Sequence, residues 1–232
     1  MLLEEKDFTQ LRSNRARMKN VLLSFYSLIG LLILNAIFGI YYYFQLIKLN
    51  NSDNYDISTI ELIYGVLNIL LGINIIATVV YFILWFRRSY ANLGRIGLYM
   101  ENKENMAFWG FVIPILNWFK PIKMAKEIDL KYDYLVEELD ENHNKNLNNY
   151  SIITAWWILF WVDSIYTRIT YKIDFETIEQ MIEYQLYDII GFAITLLSAI
   201  LTILLIQNLG KTQNKLEDLI ELETLNSNND NQ

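Results

Sequence analysis

Apolar residues along this chain gather into four long blocks, roughly residues 21–47, 60–86, 151–171 and 186–207, with polar stretches between them. At about 1.5 Å rise per residue each block, as a helix, spans the ~30 Å of bilayer hydrocarbon. Uninterrupted blocks of this length predict transmembrane helices, because a soluble domain spreads its apolar positions at helix or strand period. The first block exceeds the ~7–15 apolar residues of a secretory signal, and no small-x-small cleavage site follows it. It reads instead as a retained span closed by the interfacial aromatics Tyr41, Tyr42 and Tyr43. The fold class this predicts is an all-α integral membrane protein of four transmembrane helices.

The connecting segments carry patterns of their own. Residues 106–119 (MAFWGFVIPILNWF) are apolar but too short to cross, with Pro114 in the middle. Runs of this length favour a re-entrant or interfacial hairpin. Pro121 suits the first turn of a new helix, where its missing N–H is not needed. After it, Ala125, Ile128, Tyr132, Leu135, Val136 and Leu139 recur at helical spacing, predicting an amphipathic helix over about 121–140. Leu209, Leu216, Leu219 and Ile220 extend the fourth block as a short helix, and the final NSNNDNQ reads as a disordered polar tail. The domain organisation is thus a basic segment 1–20, a membrane domain 21–208, and a C-terminal helix and tail 209–232.

Charge orients these elements. Sixteen Lys and Arg lie in the N-terminal segment, between blocks two and three, and after block four; only Lys48, Arg168 and Lys172 lie on the other side. The positive-inside rule then places both termini and the long middle segment in the cytoplasm, in a multi-pass protein of an inner or plasma membrane. The opposite loops are acidic, with Asp53, Asp56, Asp174, Glu176, Glu179 and Glu183.

Composition narrows the chemistry. A net charge of −7 argues against nucleic acid as a partner. With no cysteine there is no thiol nucleophile or thiolate ligand, and the single His143, in a polar Asn-rich stretch, reads as a solvated loop residue rather than a metal ligand. No catalytic triad, H-E-x-x-H or phosphate-binding glycine loop is present, so the chain is expected to be no enzyme and to need no metal or cofactor.

Three motifs stand out: WFRRSYANL at Trp85–Leu93, WGFVIPILNWFKPIKMAKE at Trp109–Glu127, and WWILFW at Trp156–Trp161. Together they resemble a bacterial membrane-protein family known as domain of unknown function 4328, over about residues 46–209. The resemblance implies four hydrophobic helices and no stated activity. It marks Arg88, Asn92, Trp109, Pro114, Asn117, Pro121, Glu127, Trp156 and Trp157 as structural motif positions. Arg87, Arg88, Tyr90 and Asn92 fall at the inner interface as snorkelling anchors. Arg88 and Asn92, one turn apart, are further expected to hydrogen-bond the backbone freed by Pro114.

Each span also carries a polar or small stripe. In the fourth, Asp188, Gly191, Thr195, Ser198 and Thr202 follow steps of three and four and share one face. Asn35 and Gly39 mark the first span, Gly65, Asn68 and Gly72 the second, and Asp163, Thr167 and Thr170 the third. Such stripes serve helix packing or, alternatively, a polar pathway. Asp163 is the sharpest position, since a carboxylate inside a span needs a partner or a function; Arg168, Asn68 and Asn35 are its candidate partners. Two functions follow. One is a non-enzymatic scaffold or accessory protein, possible in a bacterial stress or defence module, that holds a cytoplasmic protein partner. The other is a homo-oligomeric channel or pore lined by the Asp188–Thr202 face.

Overall fold

The four apolar blocks all fold as helices, the form in which a segment satisfies its own backbone hydrogen bonds. A computed structural model describes residues 6–51, 56–144 and 148–229. It contains seven α-helices among those residues: α1 (Arg15–Asn50), α2 (Ser58–Arg95), α3 (Met106–Val112), α4 (Pro114–Asn117), α5 (Lys120–Leu139), α6 (Asn149–Thr170) and α7 (Ile178–Asn229). No strand occurs among them. Three helices, α1, α2 and α7, are long and apolar enough to cross a membrane. α6 has the length, at 22 residues, but its tryptophans, Asp163 and Arg168 interrupt the apolar run.

The helices outlast their apolar blocks. α2 continues nine residues past Phe86 to Arg95, and α7 runs through Leu225 to Asn229. The helix therefore occupies part of the stretch read as a disordered tail; residues 230–232 lie outside the described residues, as do Asp53 of the acidic loop and Lys145 of the predicted linker. The physical reason is local propensity: KTQNKLEDLIELETL lacks Gly and Pro and is rich in Leu, Glu and Lys, all good helix formers.

α2 stops at a glycine. Gly97 adopts φ 92°, its N–H bonds the Gly94 carbonyl at 3.2 Å, and the Leu98 N–H bonds the Leu93 carbonyl at 3.1 Å. This pair of bonds is a Schellman cap, which needs a left-handed residue. Gly97→Ala is expected to cost about 1–2 kcal/mol through the misplaced Cβ, read as a lowered midpoint in thermal unfolding of the detergent-solubilised chain.

The chain divides into two compact units. The first comprises residues 1–22, 80–154 and 204–232; the second comprises 23–79 and 155–203. Every passage between them falls inside a helix. The sixteen Lys and Arg that the sequence assigns to one side all belong to the first unit, and the other three to the second.

In the first unit, Trp85, Phe86, Tyr90 and Leu93 of α2 and Ile96 just after it are buried, as are Ile128, Leu135 and Val136 of α5 and Leu205, Leu209 and Leu216 of α7. The amphipathic pattern predicted for 121–140 appears as α5, its buried positions including Ala125, Ile128, Tyr132, Leu135 and Val136. Pro121 lies in its first turn, as expected. Burial pushes the Tyr132 hydroxyl well above its ordinary pKa, so it stays protonated and donates to the Ser89 carbonyl at 3.1 Å. Within 106–119 the chain forms two short helices separated at Ile113, which is extended, as the residue before a proline prefers.

In the second unit, Tyr42, Leu46, Ile57 and Tyr64 form a buried cluster, flanked by Phe38, Ile60, Met181 and Ile182. Trp156 and Trp157 are buried as well, and Trp157 stacks on Phe160 with ring centroids 5.0 Å apart.

Candidate functional site

Polar side chains that sequence reasoning marked as a stripe meet one another inside the second unit. Thr195 Oγ1 donates to Asp163 Oδ1 at 2.7 Å. This corrects the expected partners: Asp163 pairs with neither Arg168, Asn68 nor Asn35. Arg168 sits five residues along α6 and is exposed, on a different part of the helix circumference. Asp188 instead accepts from the Tyr64 hydroxyl. Asp188 and Thr195 are seven residues apart on α7, about 10 Å along the axis, so the two aspartates occupy separate levels and do not form a catalytic pair.

Around Asp188 the bonding continues. Gln185 Nε2 donates to Tyr64 Oη at 3.0 Å and to the Gly39 carbonyl at 3.3 Å. A Cβ at Gly39 would stand 3.0 Å from that nitrogen, so the glycine is what lets Gln185 approach. Asn68 lines the same cleft as Tyr64 and Asp188. Gly191 faces Tyr166, whose ring would lie 3.3 Å from an added Cβ. Ser198 and Thr202 are buried, and Thr202 Oγ1 donates to the Ser198 carbonyl at 2.7 Å. Asn35 is fully buried and donates to the Leu31 carbonyl at 2.8 Å. Tyr64 and Gln185 escaped sequence reasoning. The available signal was position: Tyr64 precedes Asn68 by one turn, and Gln185 precedes Asp188 by three residues.

The first unit has a polar interior of its own. Asn14, immediately before α1, points its amide into the core and donates to the Trp85 carbonyl at 3.2 Å, Ser89 Oγ at 2.9 Å and Gln213 Oε1 at 3.3 Å. Ser89 Oγ in turn donates to Gln213 Oε1 at 3.0 Å. One node therefore joins the N-terminal segment, α2 and α7. A second node centres on Glu127, which is 9% exposed. It accepts from Tyr90 Oη at 2.7 Å, the Glu101 N–H at 3.0 Å and Lys131 Nζ at 2.6 Å. Tyr90 Oη also accepts from the Asn102 N–H at 3.0 Å, so α2, the loop before α3 and α5 are tied at one point.

Two motif residues do other work than expected. Asn92 donates to the Arg12 carbonyl at 2.7 Å and accepts from the Arg12 N–H at 3.4 Å, clasping the N-terminal segment. Arg88 makes no hydrogen bond to the Pro114 turn and lies within electrostatic reach of Arg12, Arg17 and Arg95. No rescue of the turn is needed, because Pro114 begins α4 and occupies a position whose N–H has no helical acceptor. Asn117 ends α4, and its side-chain carbonyl is enclosed without a protein donor. Trp109 is half exposed on α3.

His143 is also a correction. It is not solvated but enclosed, its side chain 12% exposed, with Nε2 2.9 Å from Asp133 Oδ1 and Nδ1 3.1 Å from Lys215 Nζ. The extension of α7 past its apolar block delivers Lys215 to this place. Lys215 also pairs with Asp140 at 2.7 Å and holds that carboxyl below its ordinary pKa.

The described residues form an all-helical protein with three helices long and apolar enough to cross a membrane. The chain belongs to the family described as Domain of unknown function (DUF4328), whose match covers residues 50–211. No curated protein and no solved structure matches it.

Proposed function

We propose that this chain is a non-enzymatic membrane scaffold that crosses the bilayer four times and holds a soluble protein partner on its cytoplasmic side. α6 is the fourth span in this reading. At 22 residues and ~1.5 Å rise it reaches about 33 Å, and Asp163 is answered by Thr195 within the same unit. Both termini and residues 87–150 then lie in the cytoplasm, which agrees with the concentration of Lys and Arg in the first unit. Residues 106–119 form an interfacial hairpin: Trp109, Val112, Ile115 and Trp118 are exposed apolar surface, and Lys120 and Lys123 follow at headgroup level. A bacterial stress or defence module is a setting that suits such a protein.

The observation that carries the scaffold reading is α7 beyond its apolar block. Through Leu216 it is bound into the first unit, whereas Leu222 and Leu225 are 56% and 55% exposed on a helix that continues to Asn229. Exposed leucines between Glu221, Glu223 and Asp218 form an amphipathic docking end for a protein groove. The pore reading draws less support, since Asp163, Ser198 and Thr202 bond or bury within a single chain and leave little of the stripe to line a lumen between copies.

Affinity purification from native membranes in mild detergent tests this. Wild-type chain is expected to bring down one soluble protein in stoichiometric amount. Leu222→Glu with Leu225→Glu should reduce its recovery at least tenfold and leave the thermal midpoint unchanged. A defined homo-oligomer with no second protein would contradict the scaffold and favour the pore.

A further inference from the structure

The second unit carries a cleft of about 380 Å³ that the scaffold reading does not use. Its walls come from α1, α2, α7 and the segment before α7, and they are of two kinds. Tyr42, Tyr64, Phe175 and Tyr184 supply aromatic faces, and Glu61 and Asp188 supply carboxylates. Tyr42 and Tyr64 stack with centroids 5.1 Å apart, and Phe175 and Tyr184 meet at 5.1 Å with a 43° tilt. No Lys or Arg lines it. Asp188 Oδ2 takes the Tyr64 hydroxyl.

The surrounding charge has the same sign. The second unit holds nine Asp and Glu against three Lys and Arg, a net −6 of the chain's −7. A cleft lined by carboxylates within such a field concentrates cations. The lining also discriminates among them. A hard metal ion needs several oxygen ligands, and no group of three or more His, Cys, Asp or Glu able to hold one occurs among the described residues. Aromatic faces beside a carboxylate are the surroundings that stabilise an alkylammonium group, whose charge is spread over an apolar surface.

We propose that this cleft binds a small organic cation through its alkylammonium group, with Tyr184 and Phe175 facing the cation and Glu61 and Asp188 neutralising it. The group can belong to a free amine or to a phospholipid headgroup bearing ethanolamine or choline. The site is independent of the scaffold reading.

The test is calorimetric titration of choline, and separately of butylammonium, into the full chain in nanodiscs of phosphatidylglycerol, which offers no ammonium of its own. Saturable binding of at least one is expected, with the neutral isostere 3,3-dimethylbutan-1-ol at least tenfold weaker. Glu61→Gln and Tyr184→Ala should each weaken binding by about tenfold. Glu61 is exposed and Tyr184 is half-buried, so neither change empties the core, and an unaltered thermal midpoint verifies folding. Loss of choline binding when phosphatidylethanolamine is added to the nanodisc assigns the site to a lipid headgroup. Retention assigns it to a free amine. Absence of saturable binding by both cations, equal binding of the neutral isostere, or full affinity in both folded variants overturns the proposal.

Discussion

Replacing Glu127 with alanine is expected to lower the thermal midpoint of the solubilised chain by roughly 6–12 °C, equivalent to about 3 kcal/mol in a chain of this size. The carboxylate accepts three hydrogen bonds, from Tyr90, the Glu101 backbone and Lys131, in a place only 9% exposed. Truncation leaves the Tyr90 hydroxyl and the Glu101 N–H without their acceptor, and that desolvation cost exceeds the value of the bonds themselves. Glu127→Gln can keep its oxygen as acceptor for the Glu101 N–H and Lys131 while its amide donates to Tyr90 Oη, and should lose less than half as much. Tyr90→Phe should cost about 1–3 kcal/mol, because it leaves Glu127 Oε2 without its donor and the Asn102 N–H without its acceptor. Equal midpoints for Glu127→Ala and wild type, followed by tryptophan fluorescence, would show that the node does not hold the first unit together.

The second large effect concerns the C-terminus. Removing residues 211–232 is expected to unfold the first unit, whereas removing only 222–232 should leave its midpoint within about 1 °C of wild type. The longer deletion takes away Gln213, which accepts from both Asn14 and Ser89, and the fully buried Leu216. It also removes Glu217, which accepts from Ser13 and the Asn14 N–H, and Lys215, which pairs with Asp140. Loss of the Leu216 side chain alone is worth about 2–5 kcal/mol. Size-exclusion profiles in detergent read the outcome: monodisperse for the short deletion, aggregated for the long one. Partner binding therefore has to be probed beyond residue 221, and charge placed at Leu135, 0% exposed, would report on folding and not on docking.

Much of this architecture was legible in the sequence because membrane insertion leaves few choices. Apolar block length set α1, α2 and α7, and helical spacing from Ala125 to Leu139 set α5. Pro114 and Pro121 each stand in the first turn of a helix. The polar contacts were less legible, since they depend on which residues of distant helices share a level. Asp163 was conspicuous, yet its partner Thr195 was seen only as one member of a stripe. Asn92 carried a motif signal, but its partner is the Arg12 backbone, which no side-chain pattern reveals. His143 looked solvated because its neighbours in sequence are polar; Lys215, 72 positions away, encloses it. Asn14, Ser89 and Gln213 gave only the weak signal of small or amide side chains beside buried apolar positions.

The account rests on sidedness, with both termini and residues 87–150 in the cytoplasm and the acidic segment before α7 on the opposite face. The chain has no cysteine, so single cysteines can be introduced one at a time as clean reporters. Membrane-impermeant maleimide applied to intact cells is the most direct measurement. A cysteine at Glu176 should label, and cysteines at Gln10, Lys103 and Glu223 should label only after the membrane is opened. Labelling of Lys103 or Glu223 positions from outside, or protection of Glu176 on intact cells, would contradict the four-span arrangement and with it the placement of the scaffold's docking end.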